Sequence, residues 1–215
     1  MIPVKTDLLR PLLERLTGTR AEGLLRFHDD HIKEILVAKG SSHNHQYWSG
    51  GYHEHLLQCF TLAQDLYPLL LYRTAGLPQV LEERGSVTSP NPETGWFDFT
   101  IENAIVVLYL HDIEKIFKYG LWPTRYSERL KTCKEAWYLG ILPAKYNVWL
   151  EEKELNALEY IHGEGDDYRG DKRVMNRLAG FCHAIDVLSA RVLYDMRIST
   201  NGPTQEMSTG GGPTS

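Results

Sequence analysis

Cysteine and uninterrupted apolar sequence are what this chain of 215 residues has least of. Its three cysteines, Cys59, Cys133 and Cys182, are odd in number, far apart and without a Cys-x-x-Cys pair. That excludes a disulfide framework and a thiolate zinc site as organising devices, and it fits a reducing compartment. The longest apolar run, Ala104 to Leu110, is seven residues, far short of the roughly 20 needed to cross a bilayer. Positions 1–16 are punctuated by Lys5, Asp7, Arg10, Glu14 and Arg15, unlike the basic-then-apolar plan of a signal peptide. A soluble cytoplasmic protein without membrane contact is expected. Positive charge is also short, with 23 Lys+Arg against 28 Asp+Glu and a net charge of −5. Holding a long nucleic acid by bulk charge is therefore disfavoured, although a local basic pocket for a small phosphate compound is not.

Hydrophobic residues make up 42% of the chain and charged residues 24%, proportions that permit an ordinary globular core. The length favours one domain, expected over positions 1–198, with N-terminal helices in 1–40 and a core in 41–198. Apolar residues recur at intervals of three and four through Leu8, Leu12, Leu13 and Leu16, and again through Leu24, Leu25, Ile32, Ile35 and Leu36, which is helical periodicity. Further helices are expected over about His53–Tyr72, Ile101–Lys118, Tyr126–Trp137, Glu151–Ile161 and Lys172–Met196. Loops are expected over Ser41–Gly51 and Gly85–Asp98, and any β-structure should be a short hairpin at most. The fold class is all-α. Positions 199–215, rich in Gly, Ser, Thr and Pro, have nothing to bury and are expected to be a disordered tail.

The histidines carry the chemical signal. His111-Asp112 interrupts the most apolar helix of the chain, where unpartnered polar groups cost several kcal/mol. His28-Asp29-Asp30-His31 contains the same dipeptide but reads as a solvated helix face. His55 falls in the first turn of a helix beside Leu56 and Cys59, His53 stands at the entry to that helix, and His43 and His45 belong to the loop before it. His183 and Asp186 are three apart and share one helical face, flanked by Phe181, Cys182, Ile185 and Leu188. His162 ends a helix. Imidazole and carboxylate groups converging inside a helical bundle are suited to Mn, Fe, Co, Ni or Zn.

The order His55, His111-Asp112, Asp186 resembles the HD-domain metal-dependent phosphohydrolase superfamily, whose signature is H…HD…D on an all-α core. The resemblance runs from about Ser41 to Arg197. Its most specific parts are His43-Asn44-His45-Gln46-Tyr47-Trp48-Ser49-Gly50-Gly51-Tyr52-His53-Glu54-His55, similar to the opening of some HD exoribonucleases, and His111-Asp112-Ile113-Glu114-Lys115, similar to HDxGK. Asp186-Val187-Leu188-Ser189-Ala190 is similar to the closing aspartate with small residues just after it. Tyr52 stands where the family has Leu, and Glu114 where many members have Gly.

The resemblance implies an HD-type helical bundle in which His55, His111, Asp112 and Asp186 bind a divalent transition metal. His162 and His183 would then serve a second ion. It also implies a phosphohydrolase acting on a nucleotide or other small phosphate ester. Asp112 would orient the attacking water, Lys115 would meet the phosphate, and Glu54 or His162 would move a proton. Each outlying residue also has a plainer reading. His162 is either a ligand or a helix-terminal cap, and His183 either a ligand or a core histidine. His43 and His45 face either a substrate pocket or solvent, and Lys115 reaches either a phosphate or Glu114. The tryptophans read as core packing, except that Trp48, in the histidine loop, is a candidate substrate contact. Two other classes stay open: a di-iron oxygenase using all six ligands, and a non-catalytic nucleotide-sensing module. A 3′-exonuclease of short oligonucleotides and a homo-oligomeric state are also compatible.

Overall fold

The computed structural model describes residues 6–75, 97–119 and 134–197. The expected tail, most of the Gly85–Asp98 loop and the first part of the Tyr126–Trp137 helix lie outside the described residues, as do Cys133, Trp96 and Trp122. The described chain is all-α, and its β-structure is one isolated bridge between Arg169 and Lys172. No helix among the described residues is long and apolar enough to cross a membrane.

Among the described residues the α-helices run in order: α1 (Arg10–Leu13), α2 (Gly18–Ile35), α3 (Gly51–Ala75), α4 (Ile101–Leu110), α5 (Lys115–Lys118), α6 (Leu142–Tyr146), α7 (Glu152–Tyr160) and α8 (Arg177–Val187). Two π-helical segments accompany them, Ala136–Ile141 running into α6 and Leu188–Val192 continuing α8. The central element is α4. From Asn103 to Leu110 every residue is buried, the pattern of a helix covered on all sides, and α3, α7 and α8 pack around it. Its N-terminus is fixed by a capping box in which the Thr100 side chain accepts from Asn103 N–H and Asn103 answers to the Thr100 backbone. Asn103 also donates to the buried Glu154 carboxylate at 2.8 Å, which Arg20 grips through both oxygens at 2.9 Å. One buried glutamate thereby ties α2, α4 and α7 together.

Three expectations need correction. The helix expected over Ile101–Lys118 breaks at His111. There, bonds to the third residue back take over, from Ile113 N–H to Leu110 O and from Lys115 N–H to Asp112 O. Outside side chains take carbonyls that a continuing helix would use: the Tyr138 hydroxyl donates to Leu110 O, and the Lys134 ammonium to His111 O. His111 and Asp112 therefore sit on a turn at the end of α4, not inside a helix. The last helix begins at Arg177 rather than near Lys172, because the Asn176 side chain caps it by accepting from Ala179 N–H at 2.7 Å.

The third correction concerns His28 and His31, which are buried rather than solvated. They share the inner face of α2 with Leu24, Phe27 and Ile35, and only Asp29 and Asp30 of that run are exposed. His28 Nε2–H donates to Asp7 Oδ2 at 2.9 Å, and its Nδ1 faces the Tyr109 hydroxyl at 2.8 Å. His31 lies among the rings of Phe27, Phe117, Trp137 and Tyr146. Asp7 Oδ1 also accepts from Leu9 N–H and Arg10 N–H, so one carboxylate both starts α1 and anchors it to α2. His53, at the entry of the expected helix, is buried in α3, where its Nε2 accepts from Leu8 N–H at 3.3 Å.

Burial works to raise the Asp7 carboxyl. The His28 side chain, above all, and the Arg10 N–H outweigh it and hold the group well below the usual carboxylate range. A depressed folded-state value stabilises the protein fully above the unfolded carboxyl's value near pH ~4, and the contribution is lost as pH falls further. Asp7→Ala should therefore lower stability by about 2–3 kcal/mol at neutral pH, read from urea midpoints. Its deficit against the wild type should narrow on acidification below about pH 4; a deficit constant with pH would contradict this.

Candidate metal centre

His55 reaches the interior because the loop before it folds tightly onto α3. Gln46, in a left-handed conformation with φ 42°, donates its N–H to Tyr194 O and accepts Gly40 N–H at its carbonyl. Gly50 takes φ 78°. At Gly51 a Cβ would stand 1.8 Å from Gln46 O, so no side chain fits where the loop closes on the first turn of the helix. The helix then presents His55, Leu56 and Cys59 inward, all fully buried.

Four predicted ligands meet from three elements. His55 Nε2 lies 3.2 Å from His111 Nε2 and 3.2 Å from Asp186 Oδ1. His111 Nε2 lies 3.1 Å from Asp112 Oδ2 and 3.5 Å from Asp186 Oδ1. All four residues are buried.

Which nitrogen of each ring carries the proton is decided by the partners. His111 Nδ1 sits 2.7 Å from Leu108 O; a carbonyl only accepts, so Nδ1–H donates, and in the neutral ring Nε2 is the nitrogen left with a lone pair. His55 Nδ1 sits 2.9 Å from the Ser189 hydroxyl, whose own proton goes to Gln58 Oε1 at 2.7 Å. The hydroxyl must therefore accept from His55 Nδ1–H. Gln58 is held in that sense because its amide donates to Met196 O and its Oε1 also accepts from Gln46 Nε2. Ser189 stands in the π-helical segment after α8, an irregularity common beside functional sites.

Two imidazoles and two carboxylates thus cluster, each Nε2 within 3.9 Å of both carboxylates and 3.2 Å from the other ring, in two overlapping sets of potential ligands that share His55: His111 and Asp112 on one side, Cys59 and Asp186 on the other. Such a set repels itself unless a cation sits among it, and it is an N/O set of the kind that takes a divalent transition metal. In the protein alone the histidines diverge. Burial pushes His55 down to about 4, whereas at His111 burial is outweighed by Asp112 and Asp186, which hold it up at about 9. Burial alone would raise Asp112 and Asp186. His111 and its neighbouring cations instead keep Asp112 well below the ordinary range, and His111, His162 and His55 do the same for Asp186.

The remaining predicted residues separate into three groups. His162 joins the edge of the cluster, with Nδ1 3.3 Å from Asp186 Oδ2 and Nε2 3.5 Å from Asp112 Oδ1. Its side chain is 50% exposed, which marks the open side. Lys115 contacts Asp112 Oδ2 directly. His45 is half-buried with its ring centroid 5.7 Å from that of His55. By contrast, His183 turns away, donating Nδ1–H to Ile161 O at 2.6 Å, and is not among the potential metal ligands His55, Cys59, His111, Asp112 and Asp186 of the described residues. His43 is exposed. Glu54 accepts the Trp48 indole N–H at 3.0 Å, and the Arg197 guanidinium lies 4.8 Å from the Trp48 ring centroid. Neither Glu54 nor Trp48 is part of the ligand cluster.

Other contributors were not anticipated. Cys59 Sγ is 3.8 Å from His55 Nε2, and burial with the nearby Asp186 charge pushes its thiol well up. Lys134 Nζ lies 3.8 Å from Asp112 Oδ1 and 3.6 Å from Glu114 Oε1. Gln46 and Gln58 complete the support of Ser189. Lone lysines and neutral amides carry no spacing signature, so only Cys59, four residues after His55, offered a hint.

Ser189→Ala should leave the fold intact and weaken divalent-metal binding by about 10–100-fold, measured by competition with a fluorescent chelator. Unchanged affinity would remove the hydroxyl from the argument for the His55 tautomer.

Comparison of the chain with protein-family models, with curated proteins and with solved structures finds no match.

Proposed function

We propose that this chain is an HD-type metal-dependent phosphohydrolase that cleaves a nucleotide or another small phosphate ester. One observation carries the reading. The His55 and His111 rings meet Asp112 and Asp186, in the chain order H…HD…D, in one buried cluster with an open side at His162.

His55, His111, Asp112 and Asp186 would hold one divalent cation, which when bound supplies a water acidified toward neutral pH and charge compensation for a phosphoryl group. The chain's own residues supply the rest. Lys115 and Lys134 set two ammonium groups against Asp112, giving a phosphate locally positive surroundings in an acidic protein. Asp112, fixed between His111, Lys115 and His162, is placed to orient a nucleophilic water. His162, half in solvent, is placed to give a proton to the departing oxygen. His45, beside His55, borders the same space. The buried walls limit competing water.

The six-ligand oxygenase reading is less well supported, because His183 is committed to the Ile161 carbonyl and a second ion would lose that ligand. A non-catalytic module would have no need of lysines placed against a ligand carboxylate.

The test is metal analysis of the purified protein with a turnover screen of nucleoside mono-, di- and triphosphates under Mn, Co, Ni, Zn and Mg. Chelation should abolish turnover. Asp112→Ala should lower it by at least ~100-fold with an unchanged circular dichroism spectrum. Undiminished turnover in metal-free protein would sink the reading. Bound iron with oxygen consumption would replace it with the oxygenase, and a ligand-dependent rise in melting temperature without any turnover would replace it with the sensing module.

A further inference from the structure

A cavity of 340 Å³ lies between the segment that opens at Lys134 and helix α7. Two of its lining residues belong to the edge of the metal centre. His162 reaches both Asp112 and Asp186, and Lys134 reaches Asp112. These two side chains, 3.4 Å apart, form the boundary between the cavity and the centre, so a molecule with one end at His162 and Lys134 has the cavity beside it for its remainder.

The walls are apolar: Tyr138, Leu139, Leu155 and Leu158. Tyr138 spends its hydroxyl on Leu110 O at 2.9 Å, so it contributes ring surface rather than a free polar group. Leu139 is 66% exposed, a large apolar side chain held in water at the mouth of a charged site. It stands in the π-helical segment Ala136–Ile141, an irregularity frequent at functional positions. The volume is at the small end for ligand pockets, sized for one ring system rather than an oligonucleotide. Besides Lys134 and His162 the charged lining residues are Glu135 and Glu159, both exposed. Carboxylates there repel additional phosphates and accept hydrogen bonds from amino or hydroxyl groups.

We propose that this cavity seats the ring of a phosphomonoester, so that the site takes a nucleoside monophosphate in preference to a polyphosphate or a ring-free phosphate. The proposal rests on the phosphohydrolase reading for the position of the phosphate. Leu139, Leu155 and Tyr138 flank the ring, Lys134 stands beside the phosphate, and Glu159 or Glu135 accepts from donors on the ring's outer edge.

Calorimetric titration of manganese-loaded protein with adenosine monophosphate, adenosine triphosphate and glycerol 3-phosphate tests it, on wild type and Leu139→Glu, with turnover of the same compounds measured in parallel. Because Leu139 is exposed, the variant should fold. Adenosine monophosphate should bind about tenfold tighter than either competitor, and this preference should fall to about onefold in Leu139→Glu. Equal binding of ring-bearing and ring-free phosphates, a preference that survives Leu139→Glu, or no binding at all would each overturn the proposal. Turnover without ring preference would overturn the cavity's role while leaving hydrolysis standing. Ring preference without turnover would support the cavity and remove hydrolysis.

Discussion

The 3.2 Å approach of His55 Nε2 to His111 Nε2 is the constraint around which the rest of the structure is arranged. Two ring nitrogens held that close in a protein interior need a positive charge between them, either the proton that Asp112 and Asp186 favour on His111 or a metal ion. Burying ions in this way costs several kcal/mol each unless they are mutually compensated. The compensation comes from Lys115 and Lys134 at Asp112 and from His162 at both carboxylates, and a cation of the kind the donor set suits would complete it. The ring orientations are secured from behind, by Leu108 O for His111 and by the Ser189, Gln58 and Gln46 chain for His55. Removing that backing would let either ring turn its N–H toward the centre and so cancel a ligand.

This centre also explains why the helices lie as they do. Its residues come from α3, the turn after α4, and α8, and α3 and α8 are two of the three helices that pack on the buried α4. The break in the chain at His111 is part of the same device. A continuous helix would place successive side chains about 100° apart around its axis, whereas the turn lets His111 and Asp112, neighbours in sequence, both direct atoms to one point. Tyr138 and Lys134 stabilise the break by donating to the carbonyls of Leu110 and His111.

These dependencies set what could be read from the sequence. The all-α class was legible in the periodicity, because apolar spacing is a local signal. His55, His111, Asp112 and Asp186 were legible because polar groups of metal-ligating type stood in apolar surroundings. The break at His111 was not, since it depends on side chains 23 and 28 residues away in the chain. His28 and His31 were misread for a related reason: Asp29 and Asp30 between them suggested a solvated face, although positions three apart on a helix point the same way and the aspartates point elsewhere. Their partners, Asp7 and Tyr109 for His28, are distant in sequence. The pairing of His183 with Asp186 failed in the opposite sense. Sharing a helical face places two residues side by side, but the Ile161 carbonyl claims the His183 proton and draws the ring from the cluster.

The histidines that do meet at the centre differ in burial, and the difference divides labour among them. His55 and His111 are sealed from solvent, and each commits its Nδ1–H to a fixed acceptor. Such rings can hold an ion in place but have no route by which to exchange a proton with water. His162 is half-exposed and has both nitrogens near carboxylates rather than bonded to the backbone. It alone of the three can take up and release a proton without disturbing the core. The cavity lined by His162 lies on that same side, so under the proposed hydrolase a substrate would arrive beside the one histidine of the three that is open to solvent. A centre that served only to hold the helices together would gain nothing from this opening, because every polar group exposed there weakens the burial that strengthens its electrostatics.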